Sequence, residues 1–142
     1  MFPGHLKYAD THEWFSYHEK FVTIGLSGFI LNKLGRLLFL DLPKVGEEIL
    51  SGISFGEVES LEMLMNITSV MNGEVIAVNE RLYENLDVLN RDPYKQGWLI
   101  KLATNEVHVF DQLLSATEYE MHIRKLESST TEKHHTKGKR RK

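Results

Sequence analysis

The sequence contains no cysteine, and it has no long hydrophobic run. Without thiols the chain can form no disulfide, no thiolate metal site and no cysteine nucleophile. A reducing compartment is compatible with this composition, so we expect a cytoplasmic protein. No apolar stretch approaches the roughly 20 residues that a membrane-spanning helix needs, and residues 1–10 lack the features of a signal or transit peptide. We therefore expect no membrane association.

The basic residues are concentrated at one end of the chain. Residues 128–142 hold six lysines and arginines against the single acid Glu132, a net charge of +5, and since the whole chain carries −3, the remainder carries −8. An acidic body argues against nucleic-acid binding. The polar tail has too few apolar residues to fold by itself. We predict one folded domain over residues 1–127, followed by a disordered basic tail over 128–142.

Short apolar segments rich in β-branched residues predict a mainly β domain. Strands are predicted at 21–26 and 37–42, with a short helix between them that Ser27 caps and Gly35 ends. The pair Asn72 and Gly73 indicates a turn. Three more strands are predicted, at 53–59, 74–78 and 98–102. Residues 90–97 have the composition of a loop.

A C-terminal helix is predicted from a capping-box pattern. Ser115 is followed three residues later by Glu118, and Tyr119, Ile123 and Leu126 then recur at helical spacing. Together with the short strands, this pattern predicts a compact β sandwich or barrel flanked by helices.

A series of short motifs extends along most of the chain. In order they are His12-Glu13-Trp14, Val22-Thr23-Ile24-Gly25, Leu40-Asp41-Leu42-Pro43, Val58-Glu59-Ser60, Gly73-Glu74-Val75, Val78-Asn79-Glu80, Asp92-Pro93-Tyr94, Gly97-Trp98 and Leu113-Leu114-Ser115-Ala116. In this order and spacing they resemble the glycine cleavage system H protein family over about residues 6–124. The resemblance implies a barrel-sandwich hybrid of two antiparallel sheets, like lipoyl and biotinyl carriers, with a short internal helix and a C-terminal helix.

The same resemblance implies a carrier rather than an enzyme. In that family a lysine on a tight hairpin carries lipoate, which collects the aminomethyl group of glycine from the decarboxylase. The lipoyl arm delivers this group to the aminomethyltransferase and is reoxidised by dihydrolipoyl dehydrogenase. These three enzymes, together with lipoate-attachment enzymes, are the partners that the resemblance implies.

The hairpin departs from the family at its central residue. The family pattern Glu-Ser-Val-Lys-Ala-x-Ser-Asp becomes Glu-Ser-Leu-Glu-Met-Leu-Met-Asn over residues 59–66, so Glu62 stands where the lipoyl lysine would be. Lipoate is attached as an amide between its own carboxyl and a primary amine, which a side-chain carboxylate cannot replace. No lysine occurs between Lys44 and Lys95. We therefore expect no lipoate and no other cofactor.

The residues around Glu62 allow two interpretations. If the hairpin projects from the domain, it presents a flexible apolar surface suited to protein contacts. If it packs inward, these side chains belong to the core, and strand alternation requires at least some of them to do so. The hairpin residues assigned to partner recognition are Glu59, Ser60, Leu61, Met63, Leu64 and Met65.

Three further positions match the cleft that receives the loaded lipoyl arm in the family. They are Thr11, Glu13 and Asn66, of which Asn66 replaces a charged aspartate. Thr11 and Glu13 could be remnants of that cleft. The simpler interpretation, which we favour, is that Glu13 and Trp14 seat the N-terminal strand.

The sequence predicts no catalytic residue and no metal site. The histidines at 5, 12, 18, 108 and 122 show no metal-ligand spacing. Our leading hypothesis is a non-lipoylated, non-catalytic binding or adaptor homologue of the H protein. The alternative is a working lipoyl carrier modified at another lysine, in glycine cleavage or in a lipoate-dependent sulfur pathway. A second rival, binding of nucleic acid or another anionic surface, depends on the basic tail alone.

Overall fold

A computed structural model describes the backbone of residues 2–141 and the side chains of residues 2–128. The larger of its two sheets has six antiparallel strands. In spatial order these are β1 (Lys7–Tyr8), β2 (Glu13–His18), β3 (Phe21–Leu26), β9 (Ile100–Ala103), β8 (Gly73–Val78) and β5 (Glu48–Ile49).

A three-stranded sheet packs against the first. Its strands are β4 (Leu37–Asp41), β6 (Gly56–Ser60) and β7 (Leu64–Ile67), in that spatial order and antiparallel. Buried side chains from both sheets form one core, with Phe15 and Ile24 from the larger sheet and Val58 and Ile67 from the smaller. The predicted architecture of two antiparallel sheets is confirmed.

Two of the five helices were predicted from their caps. In α1 (Gly28–Leu34) the Ser27 hydroxyl accepts the N–H of Ile30, and Gly35 ends the helix at a φ of 74°. In α5 (Ala116–Arg141) the capping box is present, because the Glu118 N–H donates to Ser115 Oγ at 3.1 Å and the Ser115 N–H donates to the Glu118 carboxylate at 2.8 Å.

The motifs that are separate in sequence meet around Trp14. Trp14 lies opposite Gly25 in the β2–β3 pair, and a Cβ at position 25 would lie 2.3 Å from the indole ring. Only glycine leaves room for the tryptophan there. The indole N–H donates to the Pro93 carbonyl at 3.1 Å, and the hydroxyl of the adjacent Tyr94 accepts the Gly28 N–H at 2.7 Å. These contacts fix the loop before β9 against the N-terminal strands.

Several boundaries differ from the predicted ones. β6 begins at Gly56 instead of residue 53, β9 begins at Ile100 instead of 98, and Gly73 opens β8 instead of forming a turn, because the bend lies at 70–71. Three short helices were not predicted. They are α2 (Arg81–Glu84), α3 (Asp87–Arg91) and α4 (Val107–Phe110).

The predicted basic tail at the C-terminal end of the chain has little described structure to compare with the prediction. Apart from Ser128, the side chains of the predicted tail, 128–142, fall outside the described residues. The prediction of a disordered basic tail therefore stays a prediction. Among the residues described, no helix combines the length and the apolar character needed to cross a membrane.

Candidate functional site

The β6–β7 hairpin closes in a tight turn that the Ser60 side chain supports. Glu59 and Leu64 are the last paired residues, and beyond them the Ser60 N–H donates to the Met63 carbonyl at 2.9 Å. Ser60 Oγ also accepts the backbone N–H groups of Glu62 and Met63, each at 3.2 Å. The turn is thus held by the backbone and by one buried serine, and Glu62 lies at its tip.

The Glu62 side chain is exposed, and no described residue forms a side-chain hydrogen bond or an ion pair with its carboxylate. The turn therefore does not depend on which side chain occupies position 62. A free carboxylate at this tip can attract cations, but it has no amine with which to form the amide that lipoate requires.

The apolar residues of the hairpin divide between the surface and the core. Leu61, Leu64 and Met63 are 74%, 50% and 41% exposed, whereas Met65 is partly buried and packs against the core. Strand alternation explains why Leu64 and Met65 face opposite ways. The structure therefore places Leu61, Met63 and Leu64 outward and Met65 inward.

Glu13 is fully buried at the start of β2 and holds the two sheets together. Thr11 Oγ1 donates to one carboxylate oxygen, and the other accepts the Thr68 N–H at 3.0 Å and the Thr68 hydroxyl at 3.3 Å. Burial raises the pKa of Glu13, while the hydrogen bonds from Thr11 and Thr68 act in the opposite direction. Since Thr68 directly follows β7, this carboxylate links the larger sheet to the smaller one.

The three predicted arm-cleft positions do not form one cluster of contacts. Thr11 and Glu13 bond to each other, but Asn66 pairs with Glu57 across the β6–β7 ladder and accepts a hydrogen bond from Ser54 Oγ at 3.4 Å. The partner of Glu13 from the hairpin sheet is Thr68, which the sequence analysis missed. No local pattern indicates this contact, because Thr68 follows the end of β7 and lies 55 residues from Glu13. The arm-cleft role of the three residues stays a prediction.

A second buried polar network lies beside Glu13 and was not predicted. His12 adopts a φ of 84°, and its Nδ1 lies 2.7 Å from the Tyr119 hydroxyl, which lies 2.7 Å from Ser27 Oγ. The pKa of His12 is lowered to about 4, chiefly by burial and then by the neighbouring His122. When His12 is neutral with no proton on Nδ1, it can accept the Tyr119 proton and Tyr119 can accept the Ser27 proton, while Ser27 Oγ accepts the Ile30 N–H.

A protonated His12 would disturb this order. Its Nδ1–H would have to donate to Tyr119, and Tyr119 would then donate to Ser27 Oγ, which already accepts the Ile30 N–H. The Ser27 proton would lose its acceptor in a fully buried position. The network thus favours the neutral histidine and joins α5 to α1 and to the start of β2.

The sequence and the fold of this chain both match one family of known proteins. The family profile described as Glycine cleavage H-protein matches residues 6–126. The chain belongs to the glycine cleavage H-protein family. Members of this family are carriers without catalytic activity of their own, which agrees with the expectation that the chain is not an enzyme.

Individual relatives support the same assignment. The glycine cleavage system H protein of Rippkaea orientalis is 40% identical over 123 residues, which covers 86% of this chain and 93% of the relative. That of Synechococcus sp. strain RCC307 is 36% identical over 118 residues, covering 83% and 91%. A crystal structure of the H protein from Mycobacterium marinum superposes with a TM-score of 0.74 at 31% identity, covering 83% of this chain and 95% of that one.

Metal binding finds no support in the part of the chain that the structure describes. There, no group of three or more His, Cys, Asp or Glu side chains is arranged to hold an ion.

Proposed function

We propose that this member of the H-protein family is a non-lipoylated binding or adaptor protein that keeps the carrier scaffold. The observation that supports the proposal is the position of Glu62, exposed at the tip of the β6–β7 turn, where the family pattern has its lipoyl lysine. The turn itself is well formed, so a distorted hairpin does not account for the missing attachment site. What is missing is the amine.

The partners fall within the same proposal. The chain keeps the scaffold and the projecting hairpin of its family, so we propose that it docks with glycine cleavage enzymes or with lipoate-attachment enzymes without transferring a group. It acts without a cofactor of its own, and the cytoplasmic location expected from the sequence belongs to this proposal.

Mass spectrometry of the protein isolated from its own cells tests the absence of lipoate. The intact mass and the peptides that contain each lysine should show no lipoyl increment. A lipoyl group on any lysine would overturn the proposal and would restore the alternative, a working carrier modified at an unusual position.

Titration of the purified chain with each proposed enzyme tests the docking. The decarboxylase, the aminomethyltransferase, dihydrolipoyl dehydrogenase and a lipoate ligase are each immobilised, and binding is measured at physiological salt. Saturable binding to at least one of them is expected. If none binds, the adaptor role is wrong even where mass spectrometry finds no lipoate.

A further inference from the structure

The outer surface of the smaller sheet carries apolar and acidic side chains in two adjacent rows. Cross-strand register places Phe39 opposite Glu59 and Glu59 opposite Leu64, so these three side chains form one row across β4, β6 and β7. The next row along the strands is Asp41, Glu57 and Asn66. Neighbouring strands are about 4.8 Å apart, so the side chains of one row are in contact range of each other.

Two further features enlarge this surface. The register shifts between Leu37 and Phe39, and this irregularity leaves both Leu38 and Phe39 about half exposed, at 50% and 48%. At the other side, the turn adds the exposed Leu61 and Met63. We call the two rows, Leu38, and turn residues 61–63 the hairpin face.

A shallow cavity, open to solvent, adjoins the hairpin face at β4. It has a volume of about 350 Å³ and is lined by Leu38, Phe39, Leu40, Asp41, Tyr83 and Leu86. The Tyr83 hydroxyl accepts the Leu42 N–H at 2.9 Å, which fixes the phenol ring beside the end of β4. The cavity therefore has one ordered wall, and it has room for a large apolar side chain from another molecule.

The charge on this face has one sign. Between residues 45 and 80 the chain contains seven glutamates and no lysine, arginine or aspartate. Asp41, Glu57, Glu59 and Glu62 lie on the hairpin face, and the ion pairs found among the described residues, Arg91–Asp87 and Arg124–Glu120, involve none of them. A partner with basic side chains would complement this surface.

We propose that the hairpin face and its cavity bind a cationic protein segment that carries large apolar side chains. Exposed ion pairs alone stabilise a complex little, whereas the burial of apolar side chains in a pocket is the larger favourable contribution. The apolar side chains of the partner therefore supply the affinity, in the cavity and over Phe39 and Leu64, and its basic side chains set the orientation. The inference rests on the proposed function insofar as Glu62 stays unmodified, and it adds β4, Tyr83 and Leu86 to the contact surface.

The test uses a fluorescently labelled synthetic peptide of alternating lysine and leucine, titrated into the full-length protein by fluorescence anisotropy. Two matched peptides serve as controls, one with serine in place of leucine and one with glutamate in place of lysine. Saturable binding is expected for the lysine–leucine peptide, with affinity at least tenfold weaker for both controls. Equal binding of the lysine–serine peptide would show that charge alone is recognised and would overturn the proposal.

Paired variants locate the binding site. Phe39→Thr and Leu64→Thr should each weaken binding about tenfold, equivalent to ~1.4 kcal/mol. The control Ile76→Thr removes an exposed apolar side chain from a strand of the other sheet and should leave affinity unchanged. Likewise, Glu59→Lys should weaken binding, and Glu74→Lys, on that same strand of the other sheet, should not. If Ile76→Thr behaves like Phe39→Thr and Leu64→Thr, or if Glu74→Lys behaves like Glu59→Lys, the site is elsewhere.

Sedimentation of the protein without peptide tests the other occupant that this face could have. A monomer is expected. Self-association that Phe39→Thr abolishes would overturn the proposal, because a second copy would then cover the face. All these measurements use unmodified recombinant protein, so they can fail while mass spectrometry still finds no lipoate, and the two proposals are distinguished.

Discussion

Two glutamates of this chain occupy opposite environments. Glu13 is fully buried and both its carboxylate oxygens accept hydrogen bonds, whereas Glu62 is exposed at a turn that does not use its side chain. Replacing Glu13 would disrupt the contact between the two sheets. Replacing Glu62 changes only the chemistry that the hairpin offers. The fold therefore does not depend on which residue occupies position 62.

The comparison extends to the neighbours of each residue. The hydrogen bonds around Glu13 connect distant parts of the chain. Glu13 itself is bonded to Thr68, and the neighbouring network joins His12 to Tyr119 and Tyr119 to Ser27. Around Glu62 they stay within the turn, from Ser60 to Met63. We therefore expect the effect of a substitution on stability to be large in the first region, the junction, and small in the second, the tip.

The largest effect is expected from Glu13→Ala. The change removes the acceptor of the partly buried Thr68 N–H and hydroxyl and of the exposed Thr11 hydroxyl, and each group left unsatisfied in a buried position costs about 1–3 kcal/mol. We expect the free energy of unfolding to fall by about 3 kcal/mol, measured by urea denaturation. The matched variant Glu62→Ala should change it by less than about 0.5 kcal/mol. Similar losses in the two variants would abolish the distinction between junction and tip.

The next effect in size is a dependence of stability on pH. The pKa of His12 falls from 6.5 to about 4 on folding, so the unfolded chain takes up a proton at a higher pH than the folded protein does. The stability that depends on a neutral His12 is therefore fully present above pH 6.5 and is lost as the pH falls toward 4. We expect a loss of about 1.5 kcal/mol, which is less than half of what about 1.36 kcal/mol per pKa unit would give for the whole difference, because solvent screens the partly exposed ring. His122, Asp10, Lys33 and Tyr119 are the titratable groups that face His12.

The variant His12→Asn isolates this titration. Asparagine tolerates the positive φ, its carbonyl oxygen can accept the Tyr119 proton, and it does not ionise. The free energies of unfolding of the two proteins are measured from pH 7 to pH 4.5, and their difference should shift in favour of the variant as the pH falls. A constant difference would assign the pH dependence to another group.

A smaller loss of stability is expected from a change at the start of α5, the helix that contains Tyr119. Ser115→Ala removes the acceptor of the Glu118 N–H at the start of α5 and should lower the free energy of unfolding by about 1 kcal/mol. Ser115→Asp, which keeps a good cap, should restore most of it. If alanine and aspartate give the same stability, the cap does not support the junction.

The parts of the fold that follow from local rules were predictable. The caps of α1 and α5 depend on residues three positions apart, and the strand at Phe21–Leu26 depends on one run of β-branched residues. The motif residues were recognised in order, but their meeting around Trp14 was not, because the contact with the Pro93 carbonyl joins residues 79 positions apart. Patterns of adjacent residues carry no information on such distances.

The sequence likewise predicted the local features of the candidate site and missed its contacts between distant residues. The identity and tip position of Glu62 follow from the hairpin pattern, and alternation required an inward Met65. Thr68 and His12 were missed for different reasons. Thr68 lies 55 residues from Glu13, and His12 is recognisable only by its backbone angle and by a partner 107 residues away. The short helices α2 to α4 have no side-chain cap bond that a sequence pattern could have announced.

The smallest effect on stability, and the largest on chemistry, is expected from Glu62→Lys. The side chain at the tip makes no described contact, so the free energy of unfolding should change by less than about 0.5 kcal/mol. The new amine stands at the position that we propose corresponds to the lipoyl lysine of the family. Incubation with a lipoate ligase, lipoate and ATP should add one lipoyl group at residue 62, detected by peptide mass spectrometry.

The control variant Glu59→Lys places the same amine on the strand below the turn and should stay unmodified. If Glu62→Lys also stays unmodified while the fold is intact, the ligase is rejecting the apolar flanks, since Met63 and Met65 replace the smaller alanine and serine of the family pattern. Glu62→Lys combined with Met63→Ala would then recover the modification. Modification of both lysine variants at equal rates would mean that the ligase does not distinguish the tip from the strand, and the position of Glu62 would no longer support the proposal that the protein carries no lipoate.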